Sequence, residues 1–508
     1  MRASGILLHI SSLPGEYGIG KLGKEAYAFA DFLKKAGQKY WQVLPVSPTS
    51  YGDSPYQSFS VFAGNPYFID FETLEKEGLL RPKDYKNVDW GSREGVDYGH
   101  IYKVIFPVLK KAYKAYVKSG DGELSAFIGE NPWVKDYGLF MALKFAHKGK
   151  AWYDWEEPLR MREPEAVAKA AEKYADEVGF HAFLQYEYSK QWKALKAYVN
   201  GLGIDIIGDM PIYVAYDSVE VWTQPELFLL DEERTPIDVA GCPPDAFTSK
   251  GQLWGNPLYR WDFHEETGFA WWTERLRAAC TACDVVRIDH FRGFESYYCI
   301  PYGNEDAVIG EWRKGPGMKL FNAMKAALGK QRIIAEDLGF ITKDVKKLLK
   351  ASGYPGMKVL QFAFDSDPQN PYLPHNYESS NCVCYTGTHD NETALGWVNT
   401  SKRKTLKYCR EYLNVKKNRE IPWAMIRAAW GSVADTAVAQ MQDFLELDSS
   451  ARMNIPSTLG GNWEWRMKGG ELTDALAERI YALTCTYGRI VPEKPEKAKA
   501  AKKEKKTK

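Results

Sequence analysis

Five times in this chain a short apolar run stops abruptly at an acid. The runs occupy 204–209, 285–289, 332–337, 358–365 and 382–390. They end at Asp209, Asp289, Glu336-Asp337, Asp365 and Asp390. Each has the length of a strand and carries apolar residues with little polar alternation, the pattern of a strand buried on both faces of a parallel sheet. Stretches with helical spacing lie between them, such as 271–279 and 317–329. Adding 5–13, 40–45 and 451–456 gives eight strand candidates, and helices are read over 25–37 and through 400–447. Eight strands alternating with helices predict the α/β class and, within it, a (β/α)8 TIM barrel. Parallel strands of a barrel deliver their carboxyl ends to one face, so acids far apart in sequence are predicted neighbours in space.

Two segments interrupt that alternation. Residues 65–201 are mainly helical and aromatic, too long for one crossover, and read as an inserted subdomain. Residues 241–256, with Gly241, Gly251, Gly255 and two prolines, read as a mobile lid. The last stretch, 491–508, is rich in Lys, Glu, Ala and Pro and is expected to be a disordered, solvated tail. Residues 1–490 are therefore expected to form a single catalytic barrel.

The central run is Val285-Val-Arg-Ile-Asp-His-Phe-Arg-Gly293. Side chains alternate along a strand, so Arg287 and Asp289 share a face, and an adjacent guanidinium keeps a carboxylate ionised, as a nucleophile requires. The same pair also reads as a buried ion pair tying down a barrel rim. Glu336 follows Ile333, Ile334 and Ala335, an apolar setting that raises a carboxyl towards the acid role. Clustered carboxylates serve metal binding or glycosidic chemistry. Arg287 and Arg292 beside the central acid, with His290 and His389 close to others, disfavour a divalent metal and favour sugar chemistry. His389, next to Asp390, suits hydrogen bonds to ring hydroxyls, or a place as a satisfied rim histidine.

Several longer motifs follow one another in order. They are Ser54-Pro-Tyr-Gln-Ser58, Gly208-Asp-Met-Pro-Ile-Tyr213, Trp254-Gly-Asn-Pro-Leu-Tyr259, Arg287-Ile-Asp-His-Phe-Arg-Gly293, Ala335-Glu-Asp-Leu-Gly339 and Gly387-Thr-His-Asp-Asn391. Arg452-Met-Asn-Ile-Pro456 and Gly461-Asn-Trp-Glu-Trp465 come last. Together they resemble glycoside hydrolase family 77, the 4-α-glucanotransferase or amylomaltase family of the α-amylase clan, over nearly the whole chain to about residue 491. Ordinary α-amylases have a histidine five residues after the acid equivalent to Asp209. Val214 stands there in this chain, which agrees with family 77.

That resemblance implies a (β/α)8 barrel with inserted subdomains and no C-terminal β-sandwich. It implies Asp289 as nucleophile, Glu336 as acid/base and Asp390 as stabiliser of the transition state. Tyr56, Asp209, Arg287, His290 and His389 would line the donor sugar subsite, and Gln252 and Trp254 of the lid would meet the acceptor. Asp337, Asp365 and Asn462 are further candidates for substrate contact, and Tyr51 for a secondary glucan site. The expected partners are maltooligosaccharides, amylose or other α-1,4-glucans, with glucose as an acceptor. No metal or cofactor is expected. A retaining α-1,4-glucan hydrolase uses the same carboxylates with water as acceptor. A non-catalytic glucan-binding protein is the reading from a different class.

Composition sets the remaining bounds. A net charge of +1 gives no global steering towards nucleic acid or a membrane, and no run of 18 apolar residues offers a membrane span. The 17 Trp and 31 Tyr suit both a large core and sugar faces. The 8 Cys include no metal-spaced set, so they read as buried free thiols of a cytoplasmic protein.

Overall fold

The computed structural model describes residues 2–490 except 51, 121 and 245–247, so the Lys-rich stretch and Tyr51 lie outside the described residues. Twelve strands are present among them. They are β1 (Ala3–Leu7), β2 (Tyr40–Gln42), β3 (Asp205–Met210), β4 (Asp238–Cys242), β5 (Gln252–Pro257), β6 (Val285–Ile288), β7 (Ser296–Pro301), β8 (Glu311–Lys314), β9 (Ile333–Ala335), β10 (Gly356–Val359), β11 (Cys382–Tyr385) and β12 (Thr436–Gln440). Eight form one parallel sheet in the order β10-β11-β12-β1-β2-β3-β6-β9. Its two ends meet where the Ala335 N–H donates to the Pro355 carbonyl at 2.9 Å, closing a (β/α)8 barrel.

Period-2 alternation sorts the strand residues into two cores. Leu7, Ile207, Val285, Ile334, Met357, Val359, Val383, Tyr385 and Val438 point inward and fill the barrel. Their neighbours point outward against helices: Ile206, Cys382, Cys384, Ala437 and Ala439 in one cluster, and Val286, Ile288, Ile333 and Ala335 in another. The inward set is a packed plug. Polar side chains therefore begin only above it, at the carboxyl ends of the strands.

Between β2 and β3 the named elements are all helical, including Tyr98–Ser119, Trp133–Ala146 and Ala175–Gly201. The last of these returns to the barrel, where the Trp192 indole N–H donates to the Ala282 carbonyl at 2.9 Å. Four strands form a second, antiparallel sheet in the order β5-β4-β7-β8. None of its four strands was expected from the pattern of residues. The two ends of the expected lid are thus the paired strands of a hairpin, residues 241–242 on β4 and 252–256 on β5, which carries Gln252 and Trp254.

Two expectations need correction. The eighth barrel strand is β12, inside a region read as helical, whereas 451–456 is loop after the short turn Ser449–Ala451. Ala437 and Ala439 favour helix intrinsically, yet their small side chains are what the crowded outward face accepts, so packing overrides propensity. The strand expected over 358–365 is β10, which starts two residues earlier and ends at Val359. A 3-10 turn, Leu360–Phe362, follows it, so Asp365 is not at a strand end. Among the described residues no helix is long and apolar enough to cross a membrane.

The wall between β1 and β2 leaves no room for a side chain at Gly5. A Cβ there would lie 2.5 Å from Tyr40 Cβ and 2.6 Å from the Tyr40 carbonyl oxygen. Gly5→Ala is expected to cost roughly 1–3 kcal/mol, read as a lower denaturant midpoint. Gly469→Ala, where nothing lies within 4 Å, serves as the control and should change stability by less than about 0.5 kcal/mol.

Candidate active site

Asp209 on β3 and Arg287 on β6 face each other in register. Arg287 Nη1 sits 2.7 Å from both Asp209 oxygens, and Nη2 sits 3.0 Å from Asp289 Oδ1. The guanidinium is 3% exposed and the Asp209 side chain 0%. Burial works against the Arg287 charge, but Asp209 and Asp289 outweigh it and hold its pKa well above the ordinary value. The Tyr56 hydroxyl donates to Asp209 Oδ2 at 2.9 Å. Arg287 thus stands between two carboxylates. Among the described residues no group of three or more His, Cys, Asp or Glu side chains is arranged to hold a metal ion.

Asp289 and Glu336 are tied together through the backbone. His290 adopts a left-handed conformation (φ 48°), which turns its N–H onto Glu336 Oε2 at 2.7 Å. The Leu338 N–H donates to Glu336 Oε1 at 2.7 Å, and the Phe291 N–H to the Glu336 carbonyl at 3.0 Å. Burial pushes Asp289 up to about 6; Arg287 opposes this, while Asp209 and Asp390 add to it. Burial likewise pushes Glu336 up to about 7, opposed by Arg287 and helped by Asp289. The rise at Glu336 follows the direction its apolar setting implies. At Asp289 the expectation from Arg287 alone falls short, because burial outweighs the guanidinium and leaves a narrower margin of ionisation at neutral pH.

Asp390 behaves differently. Burial opposes its charge, but His389, Asn454 and Arg287 prevail and hold it well below the usual carboxylate range. His389 Nε2 lies 3.3 Å from Asp390 Oδ2, and Asn454 Nδ2 donates to Oδ1 at 2.7 Å. The Tyr56 ring stacks on His389 with centroids 5.1 Å apart and planes at 18°, and Trp463 is tilted against both. On the opposite side Trp254 meets His290 edge to face at 4.8 Å, its indole N–H donating to Gln252 Oε1 at 3.0 Å. The hairpin therefore rests directly on the turn that follows Asp289.

The structure brings together Tyr56, Asp209, Gln252, Trp254, Arg287, Asp289, His290, Glu336, His389 and Asp390. Asp337 is not with them. Alternation sends it away from Glu336, and its Oδ1 accepts the Met357 N–H at 2.6 Å, at the barrel seam. Asp365 is exposed, its carboxylate accepting the Asp367 N–H at 2.9 Å. Asn462 spends its amide on its own loop, bonding Thr458 and the Ile455 N–H. Arg292, read as a cation beside Asp289, turns instead to the Phe340 carbonyl. Asn454 and Trp463 were missed as site residues. Both lie within the late motifs, and the only signal for them was the polar and aromatic character of those motifs.

The set offers two carboxyls in one cleft beside stacked aromatic rings, of which Glu336 holds its proton to higher pH than Asp289. That is equipment suited to glycoside chemistry. The family model described as 4-alpha-glucanotransferase matches residues 8–473. The 4-alpha-glucanotransferase of Clostridium butyricum is 50% identical over 486 residues, covering 95% of this chain and 100% of that one. The 4-alpha-glucanotransferase of Thermus thermophilus is 51% identical over 501 residues, 96% of this chain and 99% of that one. Among solved structures, the amylomaltase from Streptococcus agalactiae in complex with acarbose superposes with a TM-score of 0.94. It is 44% identical and the match covers 96% of this chain and 100% of that chain.

A raised Glu336 has a consequence for stability. The folded protein holds this proton more tightly than the unfolded chain, so stability is lost as pH rises from about 4.5 through about 7. Glu336→Gln cannot ionise and escapes that loss. Its thermal midpoint should exceed that of the parent at about pH 8, by the equivalent of ~1–3 kcal/mol, and the gain should vanish at about pH 4.

Proposed function

This chain belongs to the 4-alpha-glucanotransferase family, glycoside hydrolase family 77, and on that premise we propose that it moves α-1,4-glucan segments between chains by two displacements at Asp289. The observation that carries this reading is the pairing of Asp289, bound to Arg287, with a Glu336 that holds its proton to higher pH. Asp289 attacks the anomeric carbon of the scissile linkage while Glu336 gives its proton to the departing oxygen. The bond from C1 to that oxygen breaks as the bond from C1 to Asp289 forms, and the leaving chain departs with a free 4-hydroxyl. Glu336, now ionised, takes the proton of an incoming 4-hydroxyl, from a maltooligosaccharide, a longer glucan or glucose. That oxygen attacks C1 and frees Asp289.

The other residues hold the sugar. Asp390, kept ionised by His389 and Asn454, accepts hydroxyl hydrogens of the donor sugar, and Tyr56 presents its ring to it. Asp209 keeps Arg287 turned towards Asp289. Transfer demands that the covalent intermediate outlive encounters with water, and the hairpin carrying Gln252 and Trp254 is placed to cover it. Cys280, Cys283, Cys299, Cys382, Cys384, Cys409 and Cys485 are free thiols, which suits the reducing cytoplasm.

Incubation with maltotriose tests the activity. Glucose should appear together with longer maltooligosaccharides and no net gain in reducing ends. Rising reducing ends would make the enzyme a hydrolase instead, and no turnover would leave a glucan-binding protein. Asp289→Asn should abolish nearly all turnover while leaving the fold intact by circular dichroism. A near-normal rate in that variant would remove Asp289 as nucleophile.

Covering of the intermediate has its own signature. Gln252→Ala and Trp254→Ala should each raise hydrolysis relative to transfer, measured as reducing ends gained per glucose released. An unchanged ratio in both variants would show that the hairpin does not shield the intermediate.

A further inference from the structure

Arg292, three residues past Asp289, is 4% exposed and carries its charge away from the carboxylates. Its guanidinium lies 3.8 Å from the Trp312 ring centroid and 5.9 Å from that of Phe340. Nη1 donates to the Phe340 carbonyl at 2.5 Å and Nη2 to Ser296 Oγ at 3.1 Å, while Nε has no partner. The backbone of Phe340 is therefore pinned, yet the residue is 71% exposed, and among the exposed large apolar residues described only Leu459 is more so. Trp312, on the edge strand β8, is 38% exposed. A ring that packing does not need, held in place by a buried cation, is arranged for contact with something outside the fold.

Its position says what. Arg292 is three residues from Asp289 and Phe340 four from Glu336, so their Cα atoms lie within about 11 Å and 14 Å of the two carboxyl-bearing residues. The loops after β6 and β9 rim the same mouth through which a glucan chain enters and leaves. Trp312 belongs to the sheet that also carries Gln252 and Trp254. We propose that Phe340 and Trp312, braced by Arg292, form a stacking platform for glucosyl units of longer α-1,4-glucans, remote from the bond being cut. This rests on the reading of the activity given above. The platform favours long chains over short ones, because a trisaccharide filling the catalytic subsites does not extend to it.

Phe340→Ala tests this with maltotriose and maltoheptaose as paired substrates. Because the ring is exposed, the fold should be unaffected. KM for maltoheptaose should rise about threefold to tenfold, with turnover of maltotriose within about twofold of the parent. Phe340→Trp should restore the parent KM, and Trp312→Ala should act in the same direction as Phe340→Ala. Unchanged KM for both substrates, or an equal rise for both, would overturn the platform. So would a change of oligomeric state in sedimentation without a change in KM, which would reassign the patch to a protein contact. An unmodified enzyme inert towards both sugars would overturn the assigned activity itself, an outcome distinct from the others.

Discussion

A buried guanidinium between two carboxylates is the interaction on which the upper half of this barrel depends. Arg287 is almost wholly removed from water, and stripping a charge of its hydration costs several kcal/mol unless partners replace it. Asp209 provides that replacement from the neighbouring strand, in direct register. The outer half of the guanidinium is then free to meet Asp289. Removing either partner would leave a charge stranded above an apolar plug, so the geometry of the mouth is fixed by the same contact that serves its chemistry. Tyr56 extends the arrangement by donating to Asp209, and through His389 the stack reaches Asp390.

A second constraint concerns two carboxyls with different protonation in one cleft. Burial raises both Asp289 and Glu336, and the Asp289 charge raises Glu336 further. Arg287 lies nearer Asp289, whereas Glu336 is met by backbone N–H groups of His290 and Leu338. Glu336 therefore holds its proton to higher pH than Asp289 does. Because the His290 amide is aimed by a left-handed backbone, Glu336 is positioned from the turn that directly follows Asp289.

Much of this was legible in the sequence, for identifiable reasons. Runs such as 285–289 and 204–209 announce themselves because both faces of a barrel strand are buried and the polar residues begin only at the mouth. The same alternation separates Glu336 from Asp337, although adjacency in sequence hid it. It failed at β12, whose alanines look helical in isolation and become strand only because the outward face has no room for larger side chains. Asn454 and Trp463 were invisible to strand logic, since a loop after the last barrel strand delivers them and no periodicity marks a loop. The antiparallel sheet was missed because short strands broken by Gly and Pro read as loop. Where its hairpin meets His290, the fold uses tertiary contact, which local sequence does not encode.

The pairing of β1 with β12 also bears on how the molecule is made. From Ala3 to Leu7 the first strand is hydrogen-bonded on one side to residues 436–440, and Arg489 adds a bond from its guanidinium to the Ala3 carbonyl. During synthesis β1 emerges well before β12, so one of its two edges stays unpaired until residues 436–440 have left the ribosome. The helices of 65–201 and the early strands can gather meanwhile, but the ring stays open for most of translation. A nascent chain of this topology carries an unpaired β1 edge throughout the synthesis of everything between β1 and β12, an edge open to pairing with other chains.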